Sequence, residues 1–292
     1  MKKKLYAAIF LSVSLLHVNC AGNVHITENV PDAASLNYPL VLVHGIVAHD
    51  RGRFITFWGR IPQTLERHGV KVFFGNTDSF GDFDSNAQML KNTIDRVLLE
   101  TGSEKVNIIA HSKGGLDSRY MIWIYDYGDR VASLTTIATP HHGSEIADLL
   151  HGRRFVHRRN TGKILDILGR LHGDENPAVY DVHLLLTTDK MREFNEHIGM
   201  DARVFYQSLY TTLESPFDDT MFVSSYRFLK RVRGKNDGFV SEYSAQWGDN
   251  IRKIEGRISH AEIVDFKRRT ISGIYIPDIY THIIDELIAL GF

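Results

Sequence analysis

Short apolar runs recur along the chain from about Tyr38 onward, separated by longer segments in which apolar and polar residues mix. Runs of this kind, without a polar alternation, are typical of strands buried on both faces of a sheet. The clearest example is Pro39-Leu40-Val41-Leu42-Val43. Together the runs predict five strands, at residues 39–43, 70–74, 105–110, 131–138 and 203–209.

The segments between these runs follow a helical period. Residues 56–68 and 114–127 are predicted helices, and residues 276–290 form a closing amphipathic helix with Pro277 near its start. Another helix places four apolar residues on one face, Leu90, Ile94, Val97 and Leu98. Strands that alternate with helices predict a single α/β domain, residues 38–292, whose mostly parallel sheet is flanked by helices on both sides.

The alternation breaks after Thr139-Pro140. Residues 141–200 are rich in His and Arg and contain short helical patterns, such as Ile164–Leu168 and Leu184–Leu186. Insertions in α/β domains lie near the carboxyl ends of the strands, where ligands bind. We therefore predict a helical lid at about residues 141–200. The alternative is a peripheral insertion that only packs on the sheet.

Composition and charge limit the partners. The chain is 43 % hydrophobic and 24 % charged, which is typical of a globular protein with a sizeable core. Its net charge of −1 gives no reason to expect a polyanionic partner, so we expect no nucleic acid binding.

The N-terminus predicts export. Met1-Lys2-Lys3-Lys4 followed by the apolar segment Leu5–Leu16 resembles a signal peptide, residues 1–20, and the apolar part is short for a membrane span. A retained anchor is the alternative. Cys20, the only cysteine, is either a lipidated N-terminus or a residue beside an ordinary cleavage site. The mature domain is thus expected outside the cytoplasm, extracellular, periplasmic or attached to the outer membrane, without an internal disulfide.

The candidate chemistry centres on Ser112. The segment Ala110-His111-Ser112-Lys113-Gly114-Gly115 places this serine between a buried strand and a helix, with small residues two positions to either side. This is the form of a nucleophile elbow, a turn too sharp for large neighbours. Such a match arises by chance about 0.2 times in a chain of this length, so its context has to carry the assignment.

A serine becomes a nucleophile only with a base to take its proton and a carboxylate to orient that base. When the serine lies on such an elbow, the acid comes next along the chain and the histidine follows the acid. His260 comes after a strand-like passage and precedes a helix-like segment, Ala261–Lys267, whereas His282 falls within the closing helix. We therefore predict His260 as the base.

Asp237 is the predicted acid. It lies in the turn signal Asn236-Asp237-Gly238, 23 residues before His260, and an ordinary surface turn is the alternative interpretation. The rival acids are Asp218, Asp219 and Asp249.

The reaction also needs donors for the oxyanion, and we assign them to the backbone N–H groups of Ile46 and Lys113. His44-Gly45-Ile46 follows the first buried strand, where a glycine lets N–H groups approach a substrate. The side chains of His44 and His111 are then supporting residues of the turns, without a catalytic role.

Four segments, taken in order, resemble the signatures of bacterial true lipases, the family I triacylglycerol lipases of the α/β-hydrolase fold. They are Tyr38–Gly45, Ala110–Gly115, Thr139–Ser144 and Asn236–Val240. The resemblance implies Ser112 as nucleophile, Asp237 and His260 as its partners, a carboxylic ester of a lipid as substrate and a lid that opens at a lipid interface.

The resemblance also implies a calcium site, because many relatives hold a calcium ion between two aspartates. Asp218 is the candidate for the first, and Glu262 stands at the second position. A glutamate can bind calcium, but its longer side chain changes the geometry. The resemblance therefore leaves undecided whether the protein binds a structural calcium ion. No organic cofactor is expected.

The sequence thus predicts an exported or membrane-attached serine hydrolase of lipid esters, most simply a triacylglycerol lipase, in transient or lipid-anchored membrane contact. The alternatives within the fold are a phospholipase, a short-chain esterase and an acyltransferase. The alternative outside enzymes is an inactive binding protein, against which the complete set of catalytic residue types argues.

Overall fold

Six parallel strands form the sheet at the centre of the described part of the chain. They are β1 (Leu40–Val43), β2 (Val72–Phe74), β3 (Val106–His111), β4 (Val131–Ile137), β5 (Phe205–Tyr210) and β6 (Ile251–Lys253). Their order is β2-β1-β3-β4-β5-β6, and each neighbouring pair is parallel. The mostly parallel α/β fold predicted from the apolar runs is confirmed.

The computed structural model describes residues 35–46, 50, 57–152, 174, 175 and 177–292. The predicted signal peptide with Cys20 and the helical pattern at Ile164–Leu168 lie outside these residues. Among the described residues, no helix is both long enough and apolar enough to span a membrane.

The helices lie between the strands in the order that the helical periods predict. Their bounds are α1 (Ile61–Arg67), α2 (Phe83–Thr101), α3 (Lys113–Ile124), α4 (Glu145–Gly152), α5 (Val179–Leu185), α6 (Thr188–His197), α7 (Val223–Val232), α8 (Glu242–Ala245) and α9 (Ile276–Ala289). Local sequence sets their ends. The Asp82 carboxylate accepts a hydrogen bond from the Ser85 N–H at the start of α2, and left-handed Gly102 ends that helix.

Two apolar layers cover the sheet because successive side chains of a strand point to opposite faces. Leu40 and Leu42 of β1 pack in a core that includes residues of α1 and α9, whereas Val41 and Val43 pack in a second core with residues of α2 and α3. All four are fully buried. This double burial explains why the strand runs lack polar alternation.

The described part of the predicted lid contains α4, α5 and α6. A third core joins these helices to α2 and α3, with Phe83 and Leu116 against Val182, Met191 and Phe194. Residues 153–173 and 176 lie outside the described residues. The insertion is therefore helical where it is described, and its action as a lid stays a prediction.

Two local expectations differ from the structure. Strand β6, at Ile251–Lys253, lies just before the strand-like passage Ile254–Ser259 that the sequence predicts ahead of His260. It is not among the five predicted strands, because Arg252 and Lys253 are polar and an edge strand of three residues has no apolar run. The helix-like segment Ala261–Lys267 is a series of turns, in which Asp265 has a left-handed φ of 56°. That conformation is incompatible with a continuous right-handed helix.

Candidate active site

The nucleophile elbow lies where β3 meets α3. Ser112 has φ 53° and ψ −129°, a combination that costs free energy in a non-glycine residue and turns its side chain out of the strand direction. The close approach requires small neighbours. A Cβ on Gly45 would lie 2.8 Å from the Ser112 Cβ, and a Cβ on Gly114 would lie 2.3 Å from the carbonyl oxygen of His44. The glycines at these positions therefore let the end of β1 pack directly against the elbow.

The structure brings the predicted base to the serine. His260 Nε2 lies 3.1 Å from Ser112 Oγ, across 148 residues of sequence, and both side chains are buried. His260 follows β6 in a loop, whereas the rival His282 is an exposed residue of α9. The distance and alignment suit proton transfer from the hydroxyl to the imidazole.

The predicted acid holds the other side of the imidazole. Asp237 Oδ2 lies 2.8 Å from His260 Nδ1, and the His260 N–H donates to the Asp237 carbonyl oxygen at 3.0 Å. The second carboxylate oxygen, Oδ1, accepts hydrogen bonds from the N–H groups of Phe239 and Val240, at 2.9 and 2.7 Å. Asp237 is thus fixed by the turn in which it lies, and Asp218, Asp219 and Asp249 do not contact His260.

A second imidazole lies beside the base. The rings of His111 and His260 have centroids 4.6 Å apart, and His111 Nε2 lies 3.1 Å from the His260 carbonyl oxygen. Burial and the nearby His260 hold the pKa of His111 well below its ordinary value. His111 is therefore neutral at pH 7, donates Nε2–H to the loop of His260, and adds no competing charge next to the base.

The two backbone positions predicted to bind the oxyanion both lie close to the serine. Ile46 follows β1 and lines the cavities at Ser112. Lys113 is the first residue of α3, so its N–H has no acceptor within the helix, and the helix dipole favours negative charge at that end. This is a suitable environment for the oxyanion of an acyl-transfer reaction.

Sequence reasoning missed the role of the Lys113 side chain. It is buried, and its Nζ lies 2.7 and 2.9 Å from the two carboxylate oxygens of Asp117, one turn further along α3. Asn86 of α2 donates to the same carboxylate at 2.9 Å. Burial raises the pKa of Asp117 although the charge of Lys113 opposes this. The i, i+4 spacing of a lysine and an aspartate was a signal that the sequence contained.

Two apolar cavities meet at Ser112. One has a volume of about 240 Å³ and is lined on the His260 side by Phe57, Phe222 and Val264. The other, of about 170 Å³, extends under α4 and α5 and is lined by Ala147, Val182 and Leu186. Ile46, Ser112 and Phe239 border both. The serine can therefore be reached by a molecule with apolar groups on both sides of its reactive carbonyl.

The carboxylates expected at a calcium site have other partners. Asp218 Oδ2 accepts from the N–H groups of Glu214 and Ser215, at 2.9 and 2.8 Å. It is Asp219, not Asp218, that shares a cation with Glu262. The Lys267 ammonium lies 2.5 Å from Asp219 Oδ1 and 3.4 Å from Glu262 Oε1.

These contacts fit an ammonium better than a calcium ion. Arg269 also donates to Glu262 Oε1, at 2.6 Å, so that oxygen already faces two cationic side chains. Calcium takes six to eight oxygen ligands. Among the described residues, no group of three His, Cys, Asp or Glu side chains is arranged to hold a metal. The donor set predicted from the resemblance does not fit the ion in this arrangement.

Comparison with known proteins gives the same fold. The sequence profile of the alpha/beta hydrolase fold matches residues 38–161. A triacylglycerol lipase of Pseudarthrobacter phenanthrenivorans is 40 % identical over 121 residues, which cover 40 % of this chain and 37 % of that protein. The matched segment likewise spans about a third of the lipases of Burkholderia plantarii and Vibrio cholerae, at 33 % and 36 % of their lengths. A triacylglycerol lipase of Pseudomonas fragi is 27 % identical over 82 % of this chain and 91 % of that protein.

Solved structures extend the likeness to most of the chain. The crystal structure of Staphylococcus hyicus lipase superposes with a TM-score of 0.68 and 16 % identity, covering 89 % of this chain and 98 % of that one. A Bacillus licheniformis lipase in its mature form gives a TM-score of 0.60 at 24 % identity, covering 82 % and 90 %. At these identities the structures show the fold, and the resemblance given by the four sequence motifs is confirmed. The chain therefore has the fold of the α/β hydrolases and is similar in sequence to triacylglycerol lipases over the segments matched.

Proposed function

We propose that the protein hydrolyses carboxylic esters of lipids, most simply triacylglycerols, through an acyl-enzyme on Ser112. The observation that carries the proposal is the hydrogen-bonded series Asp237–His260–Ser112, with distances of 2.8 and 3.1 Å, at the meeting point of two apolar cavities. A binding protein would have no need for this alignment or for the strained backbone of the serine.

In the first half of the reaction, His260 Nε2 takes the proton of Ser112 as Oγ attacks the ester carbonyl. The oxyanion is stabilised by the N–H groups of Ile46 and Lys113, each of which contributes about 3 kcal/mol of transition-state stabilisation in sites of this kind. The imidazolium, held by Asp237, then protonates the departing alcohol. Water attacks the acyl-enzyme with His260 again as base, and a carboxylic acid and free Ser112 result. These steps require no organic cofactor.

The lining of the site supports a lipid ester. The walls on both sides of Ser112 are built mostly from apolar side chains, and no charged carboxylate or ammonium side chain is among those that line either cavity in the described residues. The relatives named above as triacylglycerol lipases support the same substrate class. An acyl chain in one cavity and the alcohol part in the other would leave the carbonyl at Ser112.

The N-terminal residues support a further proposal, that the protein is exported. The basic and apolar pattern of residues 1–20 carries it. Mass spectrometry of the mature protein tests it directly. A mature N-terminus at or next to Cys20 is expected, with a diacylglycerol adduct if Cys20 is lipidated, and an intact Met1 N-terminus would contradict export by cleavage.

The activity is tested with p-nitrophenyl esters of increasing chain length and with emulsified triglyceride, on the wild type and on Ser112→Ala. We expect the variant to lose at least about 10³-fold in turnover with its fold intact. Ser118→Ala is the matched control, because Ser118 is also buried on α3 but donates its hydroxyl to the Gly114 carbonyl.

Equal turnover in wild type and Ser112→Ala would show that Ser112 is not the nucleophile. Activity restricted to acetate and butyrate esters would indicate a short-chain esterase and not a lipase. Release of acyl groups from phospholipid but not from triglyceride would replace it by a phospholipase.

A further inference from the structure

A local excess of positive charge lies directly after the residues that line the larger cavity. Residues 220–235 contain five basic side chains and no acidic one, whereas the whole chain has 34 basic and 35 acidic residues. The five are Arg227, Lys230, Arg231, Arg233 and Lys235. Arg233 pairs with Glu145 at 2.6 Å, and the other four have no ion-pair partner among the described residues. The charge of this segment is therefore largely uncompensated.

Three of these cations share one face of α7. Arg227, Lys230 and Arg231 are spaced i, i+3 and i+4, so they are neighbours on the helix surface, and all three are exposed. Tyr226 and Leu229, on the adjoining face of the helix, are buried. The helix is thus anchored by its apolar face and presents the basic face to solvent.

Large apolar side chains are exposed beside this face. Phe217 is 70 % exposed and Met221 is 58 % exposed. The guanidinium of Arg227 lies 5.7 Å from the centre of the Phe217 ring, so cation and apolar surface are in contact. Met221 and Phe222 line the cavity at Ser112 and immediately precede α7. We call Phe217, Met221, Arg227, Lys230 and Arg231 the basic rim.

A favourable interaction with the helix dipole accounts for only part of this arrangement. Lys230 and Arg231 lie in the last turn of α7, where cations are stabilised. The interaction with the dipole explains neither the position of Arg227 in the middle of the helix nor the exposure of Phe217 and Met221. Basic side chains mixed with exposed apolar ones are typical of surfaces that lie on a bilayer or emulsion with anionic head groups.

We propose that the basic rim docks the protein onto anionic lipid surfaces and brings the cavity at Ser112 to that surface. The inference rests on the proposed function, since a lipid ester is the substrate that such docking would supply. Phe217 and Met221 enter the head-group region while Arg227, Lys230 and Arg231 lie against the negative charges. Fatty acid released by hydrolysis adds carboxylates to the interface, so turnover itself strengthens the docking.

Binding is measured by sedimentation with vesicles of phosphatidylcholine alone and of phosphatidylcholine mixed with phosphatidylglycerol. The full chain is used with Cys20→Ser, so that no lipid is attached there, and with Ser112→Ala, so that no vesicle is hydrolysed. The test variant adds Lys230→Gln and Arg231→Gln. The matched control adds Arg67→Gln and Lys71→Gln, two exposed cations before β2, at the amino edge of the sheet and away from Ser112.

The protein is expected to bind the anionic vesicles more tightly than the neutral ones, and added salt should weaken the difference. Each cation at an anionic surface contributes about fivefold, so the test variant should bind the anionic vesicles about 25-fold more weakly. The control should bind like the parent. Equal binding by test variant and parent, or a parent that binds both vesicles alike, would overturn the proposal.

Hydrolysis of a soluble ester separates this proposal from the proposed function. With Ser112 restored, p-nitrophenyl butyrate should be hydrolysed at the parent rate by the Lys230→Gln/Arg231→Gln variant, because neither side chain lines the cavities at Ser112. If the parent has no esterase activity, the proposed function is wrong, and the vesicle-binding result is unaffected. A parent with esterase activity but no preference for anionic vesicles would remove the docking surface alone.

Discussion

Replacing Lys267 by methionine should destabilise the loop that carries His260. The Lys267 ammonium joins two carboxylates that are almost fully buried, Asp219 and Glu262. Both also hold Ser259, the residue before His260: Asp219 Oδ2 accepts from the Ser259 hydroxyl at 2.5 Å, and Glu262 Oε2 accepts from its N–H at 3.2 Å. Methionine keeps the length of the side chain and removes the charge.

The cost follows from what the substitution leaves behind. Burial raises the pKa of Asp219, and the hydrogen bonds from Lys267 and Ser259 outweigh it and hold the pKa below its ordinary value. Without Lys267, that carboxylate is a buried charge with no cationic partner. Removing one member of a buried ion pair costs about 3–5 kcal/mol. The Lys267 side chain is 24 % exposed, so water reaches the gap, and we take the lower end, about 3 kcal/mol.

Urea unfolding at pH 7 measures this loss, with Lys253→Met as the matched control. Lys253 is 33 % exposed and pairs at 3.3 Å with Glu255, whose side chain is 83 % exposed, and a surface pair of this kind contributes at most about 1 kcal/mol. Turnover of p-nitrophenyl butyrate, measured where Lys267→Met is still folded, should fall in kcat more than in KM, because a displaced His260 affects proton transfer before it affects binding.

The same variant tests the calcium prediction. In the wild type the ammonium lies between the two carboxylates, so added calcium or a chelator should leave the Tm unchanged. In Lys267→Met the two negative charges lack that ammonium, and calcium should recover part of the lost Tm. A Lys267→Met protein as stable as Lys253→Met would refute the reasoning, and a chelator that lowers the wild-type Tm would show that a metal, not Lys267, holds this loop.

The remaining predictions concern the series at Ser112. Asp237→Asn keeps an oxygen for the two backbone N–H groups but presents an amide to His260 Nδ1, so kcat should fall about 10⁴-fold with little change in Tm, and a loss under tenfold would contradict its role. Gly45→Ala places a Cβ 2.8 Å from that of Ser112, and we expect a loss of about 1–3 kcal/mol in urea unfolding together with reduced kcat. The pKa of His111 is depressed in the folded state. Below the ordinary value of 6.5 the unfolded chain therefore binds a proton at His111 that the folded protein does not, and the free energy of unfolding decreases as the pH is lowered. His111→Gln should lessen that fall, by up to about 1.4 kcal/mol per pH unit in urea titrations, and an unchanged slope would contradict it.

The fold could be predicted from the sequence because its strands are buried on both faces. Val41 and Leu42 are both fully buried although they point in opposite directions, so every position of β1 had to be apolar. The edge strand β6 is not buried on both faces, so Arg252 faces solvent and no apolar run in the sequence marks the strand. The turns at Ala261–Lys267 escaped prediction because the left-handed backbone at Asp265 is set by contacts with Arg60, 205 residues away.

That Ser112, Asp237 and His260 lie together could also be predicted, since each lies in a local signal and their order along the chain is informative. The carboxylates proposed for calcium are harder to choose from the sequence. Asp218 and Asp219 are adjacent, and only the fold decides which of them faces Lys267. A turn that directs one side chain inward directs its neighbour elsewhere, so the sequence alone gives no preference between them.

Each side chain of the series depends on a carboxylate oxygen that takes no part in the proposed proton transfers. Asp117 binds the Lys113 side chain, so that the residue after Ser112 can present its N–H while its own charge is neutralised inside the protein. Asp219 holds Ser259 beside His260, and Oδ1 of Asp237 holds its own turn. These carboxylates are buried and would cost several kcal/mol each if left unpaired, so any movement of the loops that carry the series breaks a charged contact. The loops at Ser112 are therefore held by buried charged contacts, which favour a fixed distance for the proposed proton transfers.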